Sequence, residues 1–366
     1  MNDSRVHPES RRAFTLVELL VVITIFVLLL AIAVPSFSSL IYSSERAQAE
    51  NQLITGLNQA RSAALATETS GDTAAVFFFD NGGRLRIVTC VDVGDITDKD
   101  GAGNDVTRDV FVPLSNYPAV QLPRGWAVRG FAPVGTTDNP TTNNLSGWYD
   151  STATNRVLSS TTGNWVFPET AYYDPTKGDQ GERRQTFMVR FQGGSGVLRG
   201  DVTTPAVVLD FSPATLFRNA MPWSEYRFDS TDRPEVLVRR AVGRSATDPS
   251  FKSASLPKLL GDKATDTVLT RCLTELALYD ENELAGAIGA RGLNKATNSI
   301  YGGPKINAAP TAPRIDQSLF GSAFDAAKLP VQINEWILGV GEQTKPSDVR
   351  MYTIDRYSGQ AREVLP

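Results

Sequence analysis

The sequence predicts an α+β protein, with one long N-terminal helix leading into a mainly β region. Three observations carry this. Between Phe14 and Val34 the chain is almost wholly apolar, with Glu18 its only ionisable residue. From Phe37 to Leu65 apolar residues recur at intervals of three or four. After Ala74, short runs of β-branched and aromatic residues alternate with Gly, Asn and Asp.

The first element follows from length. A helix over Phe14–Val34, rising about 1.5 Å per residue, spans a hydrocarbon core of roughly 30 Å. An acid inside such a run is unfavourable in lipid, so Glu18 calls for a partner and a role. Arg5, Arg11 and Arg12 precede the run, whereas Glu45 and Arg46 cancel after it. That asymmetry keeps the N-terminus cytoplasmic and sends the bulk of the chain across the membrane. Past Pro35 the helix continues to about Glu68. Phe37, Leu40, Ile41, Ala47, Ile54, Leu57, Ala64 and Leu65 form one stripe that packs on a sheet. Pro35 lacks an N–H, so a bend is expected there.

The β region starts with a hairpin. Ala74–Phe79 and Arg84–Val91 flank Asp80-Asn81-Gly82-Gly83, and Asn-Gly supplies the positive φ of a tight turn. Further strands are expected at Val110–Leu114, Trp126–Phe131, Thr186–Phe191, Ala206–Phe211, Glu235–Val242 and Arg350–Arg356, with a turn at Gln192–Gly196. Asp262 to Leu278 breaks the pattern. Val268, Leu269, Cys272, Leu273 and Leu276 predict an amphipathic helix there. Thr136–Thr162, rich in Thr, Asn, Ser and Gly, and Lys295–Arg314 read as loops.

Composition narrows the chemistry. The only histidine is His7, ahead of the apolar run, which leaves no Ser-His-Asp triad, Cys-His pair or His-ligated zinc in the rest of the chain. No pair of carboxylates is singled out for hydrolysis, and Gly193-Gly194-Ser195-Gly196 lacks phosphate-loop spacing. The reading is of a non-enzyme without a cofactor. Cys90 and Cys272 cannot build a metal site alone. An oxidising compartment would allow a disulfide between them, and two buried thiols fit equally well. In the acidic stretch 92–101, Asp95, Asp98 and Asp100 are weak Ca²⁺ candidates. The EF-hand pattern fails at Ile96 and Thr107, and a solvated loop is the simpler reading. Arg183-Arg184, Arg239-Arg240 and Arg244 could meet phosphates. With a net charge of −4, strand arginines paired to acids fit better, and no nucleic-acid partner is expected.

Arg11-Arg12-Ala13-Phe14-Thr15-Leu16-Val17-Glu18, followed by the apolar run and Pro35, resembles the processing site of type IV prepilins and type II secretion pseudopilins. That family carries Gly where Ala13 stands. The resemblance implies a leader over residues 1–13, cut between Ala13 and Phe14 by a prepilin peptidase that also methylates the Phe14 amine. It implies a role for Glu18 in assembly and for Pro35 as a helix kink. A secretory signal peptide is the competing reading, since Ala31-Ile32-Ala33 supplies an A-x-A site, but it leaves Phe14 and Glu18 without a use.

Ala60-Arg61-Ser62-Ala63-Ala64, and Val189-Arg190-Phe191 before glycines, resemble elements of H-type minor pseudopilins and FimT-like pilins. The fold so implied is pilin-like: a helix, membrane-embedded over 14–35, packed on an antiparallel sheet within 36–211. Residues 212–366 are then an extension that continues the sheet or forms a second lobe. The implied function is a minor subunit near the tip of a type II secretion pseudopilus. Its partners are prepilin peptidase and other pseudopilins, and it sits in the inner membrane with its head in the periplasm. A type IV pilus minor pilin, or an adhesive or substrate-binding tip, is the alternative.

Overall fold

In the computed structural model, the described residues are 15–66, 71–79, 83–99, 105–133, 163–168, 170–173, 182–200, 204–209, 267–302, 315–322, 328–340 and 348–364, with a few single positions besides. The chain divides into two units, 1–47 and 48–366. Helix α1 (Leu16–Leu65) supplies the described structure of the first unit and opens the second. It runs through Pro35 as helix. Nearby, the Ser36 and Ser38 hydroxyls donate to the carbonyls of Ile32 and Val34, each at 3.1 Å.

The second unit is built on a closed barrel. Its ring comprises β1 (Thr73–Phe79), β2 (Leu85–Lys99), β3 (Asp105–Pro113), β9 (Ala206–Leu209), β10 (Thr267–Cys272) and β8 (Glu182–Phe191), and β8 closes back on β1. The β3–β9 and β8–β10 pairs are parallel and the other four antiparallel. The expected simple antiparallel sheet is therefore replaced by a six-stranded barrel of mixed direction. Two short strands extend this sheet: β4 (Val120–Gln121) on β2, and β7 (Thr170–Tyr173) on β8.

Alternation assigns the two barrel surfaces. Val76, Phe78, Cys90, Phe111, Met188, Val208 and Val268 fill the interior. Val91, Val110, Val112, Val207 and Leu269 form a separate outer cluster with Ala63 of α1. Inside the second unit, α1 buries Ala49, Leu53, Leu57, Ala60, Ala63 and Ala64. Leu57 and Ala64 keep their expected place on the stripe, while Leu65 is 46% exposed. Gly194 N donates to Ala64 O at 2.7 Å, capping one terminal carbonyl of α1, and one turn earlier Thr73 Oγ1 adds a donor to Ala60 O at 2.7 Å. The Gln192–Gly196 turn is present, with Gly194 and Gly196 at positive φ.

A second, five-stranded antiparallel sheet has the order β13 (Ala361–Val364), β12 (Arg350–Ile354), β11 (Glu275–Asp280), β5 (Trp126–Ala132) and β6 (Asn164–Val166). On the face of Gly130, a Cβ would lie 2.5 Å from Leu273 and 3.2 Å from Phe187 of the barrel region. On the other face lie α2 (Glu281–Ala287) and α3 (Leu329–Ile337), around Ala277, Tyr279, Trp165 and Phe167.

Several expectations change here. Of the helix expected over 262–278, residues 262–266 lie outside the described residues and the rest is β10 and β11. A short apolar run satisfies both periods, and Thr267, Val268 and Thr270 are β-branched residues that favour the extended form. Strands on either side of residue 211, the boundary after which an extension was expected to continue the sheet or form a second lobe, pair with one another. β10 completes the barrel, and β11 pairs with β5 in the second sheet. Glu235–Val242, expected as a strand, is helical at 238–239 with Val242 also helical. Val238 and Val242, four apart, pack together on the outer barrel cluster. Asp92–Lys99 is strand rather than an acidic loop. The loop Thr136–Thr162 and residues 303–314 lie outside the described residues.

Candidate functional site

Thr15-Leu16-Val17-Glu18 has the S/T-x-x-E spacing in which the first and fourth residues cap a helix start reciprocally. Thr15 N and Thr15 Oγ1 each donate to Glu18 Oε2 at 2.9 Å, and Glu18 N donates to Thr15 Oγ1 at 3.2 Å. The carboxylate is thus held over the first turn, where the positive end of the helix dipole favours it. Thr15 is the partner of Glu18 that the sequence reading passed over, although the capping spacing was legible.

Behind this cap, every large apolar side chain from Leu16 to Ile41 is exposed, including Leu16 at 79%, Phe26 at 61% and Leu40 at 66%. At about 25 cal/mol per Å² of apolar surface, such a sleeve is strongly unfavourable in water and requires lipid or other helices around it. By length and composition this helix can cross a membrane. Ala13 and Phe14, the expected scissile pair, lie outside the described residues.

The remaining candidates are placed as follows. Cys90 is buried in the barrel, Cys272 packs against the same interior cluster, and both are free thiols. Burial pushes the Cys272 thiol up to about 12. Asp95 and Asp98 pair across the ladder with Asp109 and Val106, and Asp100 lies outside the described residues. No metal-binding cluster of His, Cys, Asp or Glu occurs among the described residues. Arg239, helical rather than on a strand, donates to the backbone carbonyl of Asp92 at 3.3 Å, and the side chains of Arg183, Arg184, Arg240 and Arg244 lie outside the described residues.

Two buried polar clusters were not foreseen. At one end of the barrel Arg190 binds Asp72 at 2.7 Å, Asp92 at 3.2 Å and Asp109 at 2.5 Å, and its guanidinium lies 5.0 Å from the Phe111 ring. Burial, reinforced by Asp109 and Asp72, raises the Asp92 carboxyl to about 6. Under α2 and α3, the fully buried Arg129 donates to Tyr279 Oη at 3.2 Å, Trp165 O at 3.1 Å and Tyr301 Oη at 2.9 Å. Tyr279 Oη in turn donates to Glu281 at 3.3 Å, and burial raises that carboxyl to about 7. Their partners come from distant strands, so sequence spacing gives no sign of either. Both are closed networks of internal partners and do not form an open reactive centre.

Comparison with family descriptions places the prokaryotic N-terminal methylation motif on residues 10–34, a span that contains Ala13, Phe14 and Glu18. Comparison with curated proteins and with solved structures gives no match. The chain therefore carries a prepilin-type N-terminal motif on a helix fit to cross a membrane.

Proposed function

We propose that this chain is a minor subunit of a type II secretion pseudopilus, most like the H-type pseudopilins, processed at Ala13–Phe14 and placed near the tip. The observation that carries this reading is the methylation motif at the head of an apolar helix with no cover of its own. A prepilin peptidase cuts after Ala13 on the cytoplasmic side of the inner membrane and methylates the Phe14 amine. The helix then leaves the bilayer for a bundle of like helices, with the head in the periplasm. A head of this size crowds a shaft position, which favours the tip. An adhesive or substrate-binding tip of a type IV pilus is the alternative, and the cavity described below is the observation in its favour.

Glu18 accepts from Thr15 in the isolated chain. In the assembled filament its second role is to meet the Phe14 amine of a neighbour and fix axial register, since an unpaired charge among packed helices is strongly unfavourable. The test is N-terminal sequencing of membrane-extracted protein together with crosslinking to neighbouring pilin-like subunits. Wild type should begin at Phe14, and Ala13→Leu should stay uncut. Glu18→Val should be cut normally yet crosslink poorly. A wild-type start at Val34 would overturn the processing reading, and undiminished crosslinking in Glu18→Val the register role.

A further inference from the structure

The face of the five-stranded sheet that carries α3 is only partly covered. Thr353 pairs with Glu275 on one side and Arg362 on the other, and Phe131 pairs with Trp165. Glu275 and Phe131 stand one step beyond the Leu276–Gly130 pair, so all five strands contribute to one row. Along β11 the same face continues through Ala277 and Tyr279, both fully buried, whereas Glu275 is exposed. The uncovered part is a cavity of about 500 Å³ lined by Phe131, Trp165, Glu275, Leu338, Met351 and Val364, among others. That size, an apolar wall and few polar groups are the attributes of a small-molecule site.

The polar groups decide what fits. Asn334 also lines the cavity, but its amide is spent on β6. It accepts from Trp165 N at 2.9 Å and donates to Asn164 Oδ1 at 2.9 Å. Glu275 is thus the one group on the wall that is charged at neutral pH, and it makes no ion pair with any described residue. Arg362, in the same row, is bound to Asp355 at 3.2 Å. Phe131 and Trp165, with ring centroids 5.2 Å apart, add two aromatic surfaces whose faces attract cations. The mouth is apolar, with Leu338 46% and Val364 41% exposed. We infer that this cavity binds a small organic cation, its aromatic or branched body against Phe131, Trp165 and Met351 and its charged end at Glu275. An anion would meet the carboxylate, and a neutral body would leave it unused. The inference does not depend on N-terminal processing.

The test uses the full-length chain in neutral detergent micelles and ligand-observed NMR titration with 2-phenylethylammonium, 2-phenylethanol and 3-phenylpropionate. The ammonium should bind about three- to tenfold more tightly than the alcohol, the range expected of one exposed ion pair plus a cation–π contact. The carboxylate probe should bind weakest. Glu275→Gln should reduce the ammonium preference to the share left by the aromatic rings. Thr353→Arg, which sets a cation beside Glu275 on the neighbouring strand, should abolish ammonium binding. Because micelle partitioning is common to all variants, the difference between wild type and Thr353→Arg reports the cavity itself. Absence of saturable binding by all three probes, an alcohol that binds as well as the ammonium in wild type, or an ammonium preference undiminished in Glu275→Gln would each overturn it.

Discussion

Asp72, Asp92 and Asp109 converge on the single guanidinium of Arg190, and Asp92 bears the consequence. Its carboxyl, raised to about 6, binds protons more strongly in the folded chain than in the unfolded one. Stability therefore falls as pH rises from about 4 to 6, and above that the penalty is complete, on the order of 2–3 kcal/mol. Glu281, raised to about 7, contributes a slope of the same sign over a higher range. Asp92→Asn removes the first slope and leaves the second. In denaturant unfolding at pH 4 and pH 6.5, the variant should gain less stability on acidification than wild type does. An identical gain in both proteins would refute the assignment to Asp92. None of this is legible in the sequence, where the four residues lie up to 118 positions apart. The Thr15–Glu18 cap is legible, because its geometry is local.

At the scale of elements, legibility followed the same division between local and distant causes. The hairpin β1–β2 and the strands beginning at Trp126 and Arg350 could be read because alternation and turn residues sit within one short window. The β10–β11 pair could not, since its extended form depends on partners at 185–188, 206–209 and 126–130. Helix α1 was read in outline but its buried stripe was displaced, because the decisive contact is a glycine. A Cβ on Gly56 would lie 2.8–2.9 Å from the Ile87 side chain of β2. Ala at this position should favour helix by about 1 kcal/mol, yet crowding at so close an approach costs about 1–3 kcal/mol. Gly56→Ala is therefore expected to lower stability. Adding Ile87→Ala should make the two changes less than additive, since the second removes the group the first strikes. Thermal unfolding of the four proteins in this cycle gives the coupling, and strict additivity would exclude the contact.

The whole second unit is tied together by chain order. The chain leaves the barrel after β3 for β5 and β6 of the second sheet, returns for β8, β9 and β10, and departs again for β11 to β13. Neither sheet is continuous in sequence, so each can form alone only by closing long unfolded loops, an entropic cost that is avoided when both form together. The surfaces in contact enforce the same linkage. Gly130 of β5 admits Leu273 and Phe187 because it has no side chain, and Phe79 of β1 packs edge-on to Phe167 beyond β6 at 5.1 Å. Two probes separate the layers cleanly. Cys90 and Cys272 report opening of the barrel, while Trp126, Trp165 and Trp336 are buried in or against the second sheet. With Trp148→Phe and Trp223→Phe, emission comes from those three alone. Denaturant titration of the full chain in micelles should then give one midpoint for thiol labelling and tryptophan emission, the mark of a single cooperative unit. Gly130→Val, which drives a branched side chain into the contact, should lower both midpoints together. Separate midpoints in the parent protein, or a Gly130→Val shift confined to the tryptophan signal, would mean that the sheets unfold independently and that the interleaved chain order leaves their stabilities uncoupled.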